Sequence, residues 1–366
     1  MNATERLYRS GQSLWLDNIT RELLTSGTLA RYIRELAVKG LTSNPTIFDH
    51  AIKKGNAYDT AIREQLAAGL SGEQLFFALA LQDLTAAADL FRELHERTAG
   101  VDGWVSLEVS PLLARDARTT LSEARELHAR AGRPNLYIKI PGTPEGLPAI
   151  EEAIFAGVPI NVTLLFSPAQ YVAAAEAYLR GVERRIQAGL NPNVSSVASV
   201  FISRWDVAVA ERVPAQLVNA LGLAIGRSTY HAYSKLLGSD RWRQAFNAGA
   251  RPQRLLFAST GTKDPKASDI LYVKGLNAPL TVNTVPEGTL KAFADHGELD
   301  AQWTADQAGS ERVLADFRKA GIDLDALATR LQEEGAASFV ASWNDLLSVI
   351  ETKSSSIRTQ PRRAAS

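Results

Sequence analysis

The chain has 366 residues, 45% hydrophobic and 22% charged, with 40 basic and 40 acidic side chains and a formal net charge of zero. That balance suits a globular protein with a large core and gives no reason to expect nucleic acid or an anionic membrane as partner. Cysteine is absent, which excludes disulfides and thiolate metal sites. The N-terminus has no long apolar run of the signal-peptide kind, and no stretch reaches about 18 uninterrupted apolar residues. A cytoplasmic protein is the expectation.

Short apolar runs alternate with longer helical patterns. Candidate strands lie at 13–19, 40–44, 103–110, 135–140, 159–166, 197–203, 254–259 and 279–284. The clearest helix between them spans 72–98, with Leu75, Leu79, Leu84, Leu90 and Leu94 marking an apolar side. Another spans 167–189, opening on Ser167-Pro168 and closing on Gly189. Strand followed by helix, repeated about eight times, predicts an α/β protein with a parallel sheet. At this length a (β/α)8 TIM-type barrel with additional helices is the leading form. A doubly wound open sheet is the runner-up; it usually carries a glycine-rich turn after its first strand, and "LDNITREL" has none. Inserted helices are expected at about 45–98 and C-terminal helices at about 311–350, all within one domain spanning 1–350. The small, polar and basic residues 351–366 read as a disordered tail.

In such a barrel the site lies at the C-terminal ends of the strands. There the sequence places Asp17, Asn44, Glu108, Lys139, Asn161, Thr163, Ser199, Arg204 and Lys263, with Ser259, Asn283 and Thr284 beside them. Singly, each has a plain explanation. Asp17 would start a turn, Asn44 would precede Pro45 in one, Thr163 is an ordinary strand residue, and Lys139 would reach out to solvent. Together they are harder to dismiss, because two carboxylates and a lysine inside apolar runs are costly unless they partner one another.

Imine chemistry at a carbonyl uses this set. A buried lysine is a potential amine nucleophile, here Lys139. Loss of water from its adduct needs an acid, a role for Glu108, and C–C cleavage needs a base, a role for Asp17. Asn44 and Asn161 suit polyol hydroxyls, and Arg204 and Lys263 suit a distant phosphate. The five histidines lack metal-ligand spacing, so no metal is expected. Ser203 is expected to cap a helix, Trp205 to shape the phosphate pocket, and Trp15 and Trp104 to pack in the core.

Seven ordered blocks, "LWLDNI", "LTSNPTIF", "VSLEVSP", "YIKIPGTPEGLPAI", "INVTLLFS", "SVFISRWD" and "TVNTVPEGTLKAF", together resemble the transaldolase family over residues 13–296. The resemblance implies a single α/β barrel with extra helices and a class I aldolase mechanism needing no metal or organic cofactor. It implies transfer of a dihydroxyacetone unit from sedoheptulose 7-phosphate to glyceraldehyde 3-phosphate, giving erythrose 4-phosphate and fructose 6-phosphate, in the non-oxidative pentose phosphate pathway. It makes Lys139 the Schiff-base lysine and Asp17 the acid/base. Glu108 would work through a water shared with Thr163, and Asn44 and Asn161 would contact donor hydroxyls. Ser199, Phe201 and Arg204 match a Ser-x-Phe-x-x-Arg block, with Ser199 on the donor's end hydroxyl and Arg204 on its phosphate. One departure stands out. Other branches of the family carry a further arginine after the seventh strand, where this chain reads "STGTKDP" and offers Lys263. A lysine binds phosphate as a point charge, not a fork.

Two rivals remain at this stage. One is a fructose 6-phosphate aldolase, although the resemblance implies glutamine and tyrosine in such enzymes where this chain has Glu108 and Phe201. The other is a non-catalytic sugar-phosphate-binding barrel, which would be expected to lack the lysine or a carboxylate. Whether the protein is a monomer or a homodimer is not decided by its neutral charge.

Overall fold

The computed structural model describes residues 2–299 and 307–359. Eight strands, β1 (Gln12–Asp17), β2 (Val38–Thr42), β3 (Trp104–Glu108), β4 (Leu136–Pro141), β5 (Ile160–Leu165), β6 (Ser196–Phe201), β7 (Gln253–Ala258) and β8 (Thr281–Val285), close into a barrel in chain order. Every neighbouring pair is parallel. The eight expected strands and the barrel are therefore present, and the open sheet is not.

Period-two alternation within the strands explains their mixed composition. Leu136, Ile138 and Ile140 join the apolar layer between strands and helices, while Tyr137 and Lys139 face the barrel interior. The lower interior is aromatic. Trp104 stacks on Tyr137 at a centroid separation of 4.1 Å, and the Trp15 ring lies 6.2 Å from Tyr137. Gly40 makes room for this stack, since a Cβ there would stand 2.5 Å from the Trp15 ring. Trp15 and Trp104 are both buried, as expected.

At the base of the barrel Arg254 ties four strands or their approaches together. Its guanidinium donates to Ser13 Oγ at 2.6 Å, the Thr281 carbonyl at 2.8 Å, the Val101 carbonyl at 2.9 Å and Asp102 Oδ1 at 3.1 Å. Asp102 is 1% exposed, so this is a buried charge that has its partner.

The helix Pro168–Gln187 starts with a capping box, in which Ser167 Oγ accepts from Gln170 N and Gln170 Oε1 accepts from Ser167 N. The helix Gly72–Arg97 buries Leu75, Leu79, Leu84 and Leu94. Leu90 is instead exposed, and Phe91, one whole heptad after Leu84, takes the inner face, because the helical period carries residue 90 off the apolar stripe. By length and composition this helix is apolar enough to cross a membrane, but 61% of its apolar window is buried inside the protein.

Additional helices Pro45–Lys53 and Asp59–Ala67 precede Gly72–Arg97, and Gln307–Lys319 and Leu324–Thr359 follow the barrel. The last helix corrects the expected disordered tail: residues 351–359 are helical, with Ser354 and Ile357 buried. Apolar Ile350 and Ile357, seven residues apart, continue the inner stripe into a segment whose composition otherwise looks solvated. Residues 360–366 of that expected tail lie outside the described residues.

Candidate active site

The C-terminal strand ends surround a cavity of about 260 Å³. Asp17, Asn44, Lys139, Thr163, Ser199, Phe201, Arg204 and Lys263 line it. Glu108 and Asn161 lie one hydrogen bond behind this wall, Glu108 on Lys139 and Asn161 on Ser199.

Strand register sets the central group. Glu108 of β3 pairs with Lys139 of β4, and Lys139 pairs with Asn161 of β5, so the three stand at one level of the wall. Lys139 Nζ donates to Glu108 Oε2 at 3.0 Å and to the Ser43 carbonyl at 3.2 Å. Both side chains are buried. Glu108 Oε1 and Thr163 Oγ1 are also buried and have no hydrogen-bond partner among the described residues. Burial pushes the Glu108 carboxyl above its ordinary value. The neighbouring Lys139 opposes that shift and the charge of Asp17 adds to it.

Asp17, at the end of β1, accepts a hydrogen bond from Thr42 Oγ1 at 2.7 Å, and Thr42 in turn pairs with Thr284 Oγ1 at 2.7 Å. Burial raises the Asp17 carboxyl as well, against the Thr42 hydroxyl and the charges of Lys139 and Lys263. The two carboxylates of the site are therefore both displaced toward neutral pH, as acid–base groups often are.

Asn44 caps the helix Pro45–Lys53, its Oδ1 accepting from Ile47 N at 3.0 Å. With the oxygen so engaged, its amide donors remain for the cavity. Asn161 is fully buried, donating to Ser106 Oγ at 3.1 Å and accepting from Ser199 Oγ at 2.7 Å. It thus meets the cavity through Ser199.

Arg204 sits in the first turn of the helix Ser203–Val209, and Lys263 in the loop after β7. Among the described residues neither has a carboxylate partner. Both cations face a shared cavity, which suits an anion. Ser203 is not a cap: it is already helical, and its hydroxyl pairs with Ser259 Oγ at 2.9 Å at the end of β7. Trp205 is fully buried behind the site, its indole donating to the Phe166 carbonyl at 2.9 Å.

The chain also brings residues here that the sequence did not single out. Thr42 was discoverable, because it stands two residues before Asn44 in a quoted block and strand alternation turns it inward. Ser338 and Phe339 come from the C-terminal helix Leu324–Thr359, which crosses the barrel mouth. Phe339 packs 6.5 Å from Phe201, which lies 5.3 Å from Phe166. "GAASFVASW" has no local feature marking it as part of a site.

Residues 14–350 match the family model described as Transaldolase/Fructose-6-phosphate aldolase. The chain belongs to this family. Proteins named transaldolase are similar to it almost end to end. That of Thermobifida fusca is 44% identical over 352 residues, covering 94% of this chain and 96% of the relative. That of Saccharopolyspora erythraea is 43% identical over 353 residues, with the same coverage of 94% and 96%. That of Renibacterium salmoninarum is 41% identical over 368 residues, covering 98% of both. The family match runs from β1 into the C-terminal helix, so it takes in both the strand-end cavity and Phe339.

Proposed function

We propose that the protein is a transaldolase that moves a dihydroxyacetone unit from sedoheptulose 7-phosphate to glyceraldehyde 3-phosphate through a Schiff base on Lys139. The products are erythrose 4-phosphate and fructose 6-phosphate. The observation that carries this reading is the buried 3.0 Å Lys139–Glu108 contact in a cavity that also holds Asp17.

Lys139 Nζ adds to the ketone carbon of the donor. Glu108 protonates the departing hydroxyl, directly or through a water held between its Oε1 and Thr163, and water leaves to give an iminium. Asp17 takes the proton of the C4 hydroxyl, the C3–C4 bond breaks, and its electron pair moves toward the iminium nitrogen. The aldehyde departs and a three-carbon enamine stays on Lys139. The enamine carbon then joins the acceptor aldehyde, Asp17 returns the proton, and water releases the new ketose from the lysine. Asn44 and Ser199, the latter backed by Asn161, orient the donor hydroxyls, and Phe201 closes the wall beside them. Arg204 and Lys263 hold the phosphate. The substrates are small phosphorylated sugars, so neither nucleic acid nor a membrane is needed, and a cytoplasmic location fits.

Borohydride trapping with fructose 6-phosphate, followed by peptide mass mapping, tests the reading. An adduct on Lys139 is expected; an adduct elsewhere, or none in protein that binds the sugar, overturns it. Release of dihydroxyacetone without an acceptor aldehyde, at the rate of transfer, would place the enzyme with the fructose 6-phosphate aldolases.

A further inference from the structure

The ring of Phe339 lies over Lys139 Nζ, with its centroid 5.4 Å from the nitrogen. This residue reaches the site from a helix nearly two hundred residues further along the chain. Its helix is held against the strands that carry the reacting groups. Gln332, itself buried, donates from Nε2 to the Leu164 carbonyl at 2.9 Å and to the Gly142 carbonyl at 3.2 Å. Leu164 directly follows Thr163, and Gly142 is the first residue after β4, the strand that carries Lys139. Leu164 has φ of 58°, an unfavourable left-handed conformation for leucine, within a register shift of β5. One turn before Phe339, Gly335 lets the helix approach closely: a Cβ there would stand 3.0 Å from Leu164 Cδ2. Phe339 is only 7% exposed and is backed by Phe201.

We propose that Phe339 is a catalytic residue whose ring face stabilises the cationic iminium formed on Lys139. The proposal rests on the Schiff-base reading above and goes beyond it. When the ketone oxygen leaves as water, the nitrogen becomes part of a C=N bond that carries a positive charge. Glu108 faces that charge from one side. The electron-rich face of Phe339 meets it from another, in a pocket where little solvent competes, which is where cation–π attraction is strongest. A ring in this place favours the iminium over the uncharged carbinolamine that precedes it without adding a group that could itself take or give a proton.

The test is to replace Phe339 with 4-fluoro-, 3,5-difluoro- and pentafluorophenylalanine, which withdraw electron density from the ring while largely keeping its shape, and to make Phe339→Leu beside them. The equilibrium constant for the adduct is read from borohydride-trapped protein as fructose 6-phosphate is titrated. It should fall stepwise with fluorination, by about tenfold over the series, with Phe339→Leu near the bottom. A constant unchanged across the fluorinated series, while unsubstituted protein traps on Lys139, overturns the proposal and leaves the ring as packing. If unsubstituted protein does not trap on Lys139 at all, the Schiff-base reading has failed and the proposal falls with it.

Discussion

Lys139 and Glu108 are register partners on adjacent strands whose side chains meet at 3.0 Å, both almost fully buried. Each supplies the other with a hydrogen-bond partner, and a buried polar group left without one is costly. The pairing also puts a proton donor next to the proposed nucleophile. Glu108→Gln keeps a hydrogen-bonding group against the lysine but removes the acid. It should slow transfer by about two orders of magnitude while Lys139 remains trappable, as steady-state rates and borohydride reduction would show. Unchanged transfer would remove Glu108 from the dehydration step.

Asp17 is assigned to the cleavage step, after the imine has formed. Asp17→Ala should therefore still yield a fructose 6-phosphate adduct on Lys139, with C–C cleavage slowed about 10²–10⁴-fold. Rapid-quench measurement of aldehyde release, set against trapping, separates the two steps. Cleavage at the original rate would exclude Asp17 as the base.

Arg204 faces the cavity from the first turn of the helix Ser203–Val209, and Lys263 from the loop after β7. Arg204→Ala and Lys263→Ala should each raise KM for fructose 6-phosphate, Arg204→Ala by more, since its fork can bind phosphate through two hydrogen bonds. Unphosphorylated dihydroxyacetone should bind with unchanged affinity in both variants. An equal loss for the unphosphorylated compound would mean general damage to the pocket.

Away from the site, Glu123 is pushed up to about 7 from 4.5, chiefly by burial, against the Ser110 amide and reinforced by the charges of Glu73 and Glu126. The folded protein thus holds this proton more tightly than the unfolded chain does. That stabilisation is complete below about 4.5 and is lost as pH rises toward about 7. Glu123→Gln can keep the Ser110 N–H bond, seen at 3.2 Å, and cannot ionise. Its Tm should be close to that of the parent at about pH 5 and above it at about pH 8. Parallel Tm curves across this range would contradict the assignment.

The base of the barrel gives a contrasting expectation. Arg254→Ala strips Asp102, 1% exposed in the parent protein, of its ionic partner. Urea unfolding should show a loss of about 3 kcal/mol. Kinetic constants of the folded fraction should hold, because the reacting groups lie at the opposite end of the strands.

Much of this architecture was legible along the chain. All eight strands lie where short apolar runs end in polar residues, and alternation tells which of those residues turn inward. That is why Lys139 could be picked out between Ile138 and Ile140, and why the expected site residues meet in one place. Alternation was less informative where the chain departs from it. Ser203 reads as a cap but begins its helix already in helical conformation, and Leu90 reads as core but falls off the stripe.

The sequence by itself determined the strand count, the parallel alternating fold and the chemical identity of the strand-end groups, because these depend on local spacing with periods of two and 3.6 residues. Only the tertiary structure decided which groups touch. Barrel closure and register set Glu108 on Lys139 and withdraw Asn161 behind Ser199. The long C-terminal helix brings Phe339 over the amine, and its buried residues carry it through 359 where composition reads as a solvated tail. Contacts between residues so distant along the chain follow from how whole elements pack, and no local pattern in either partner encodes them.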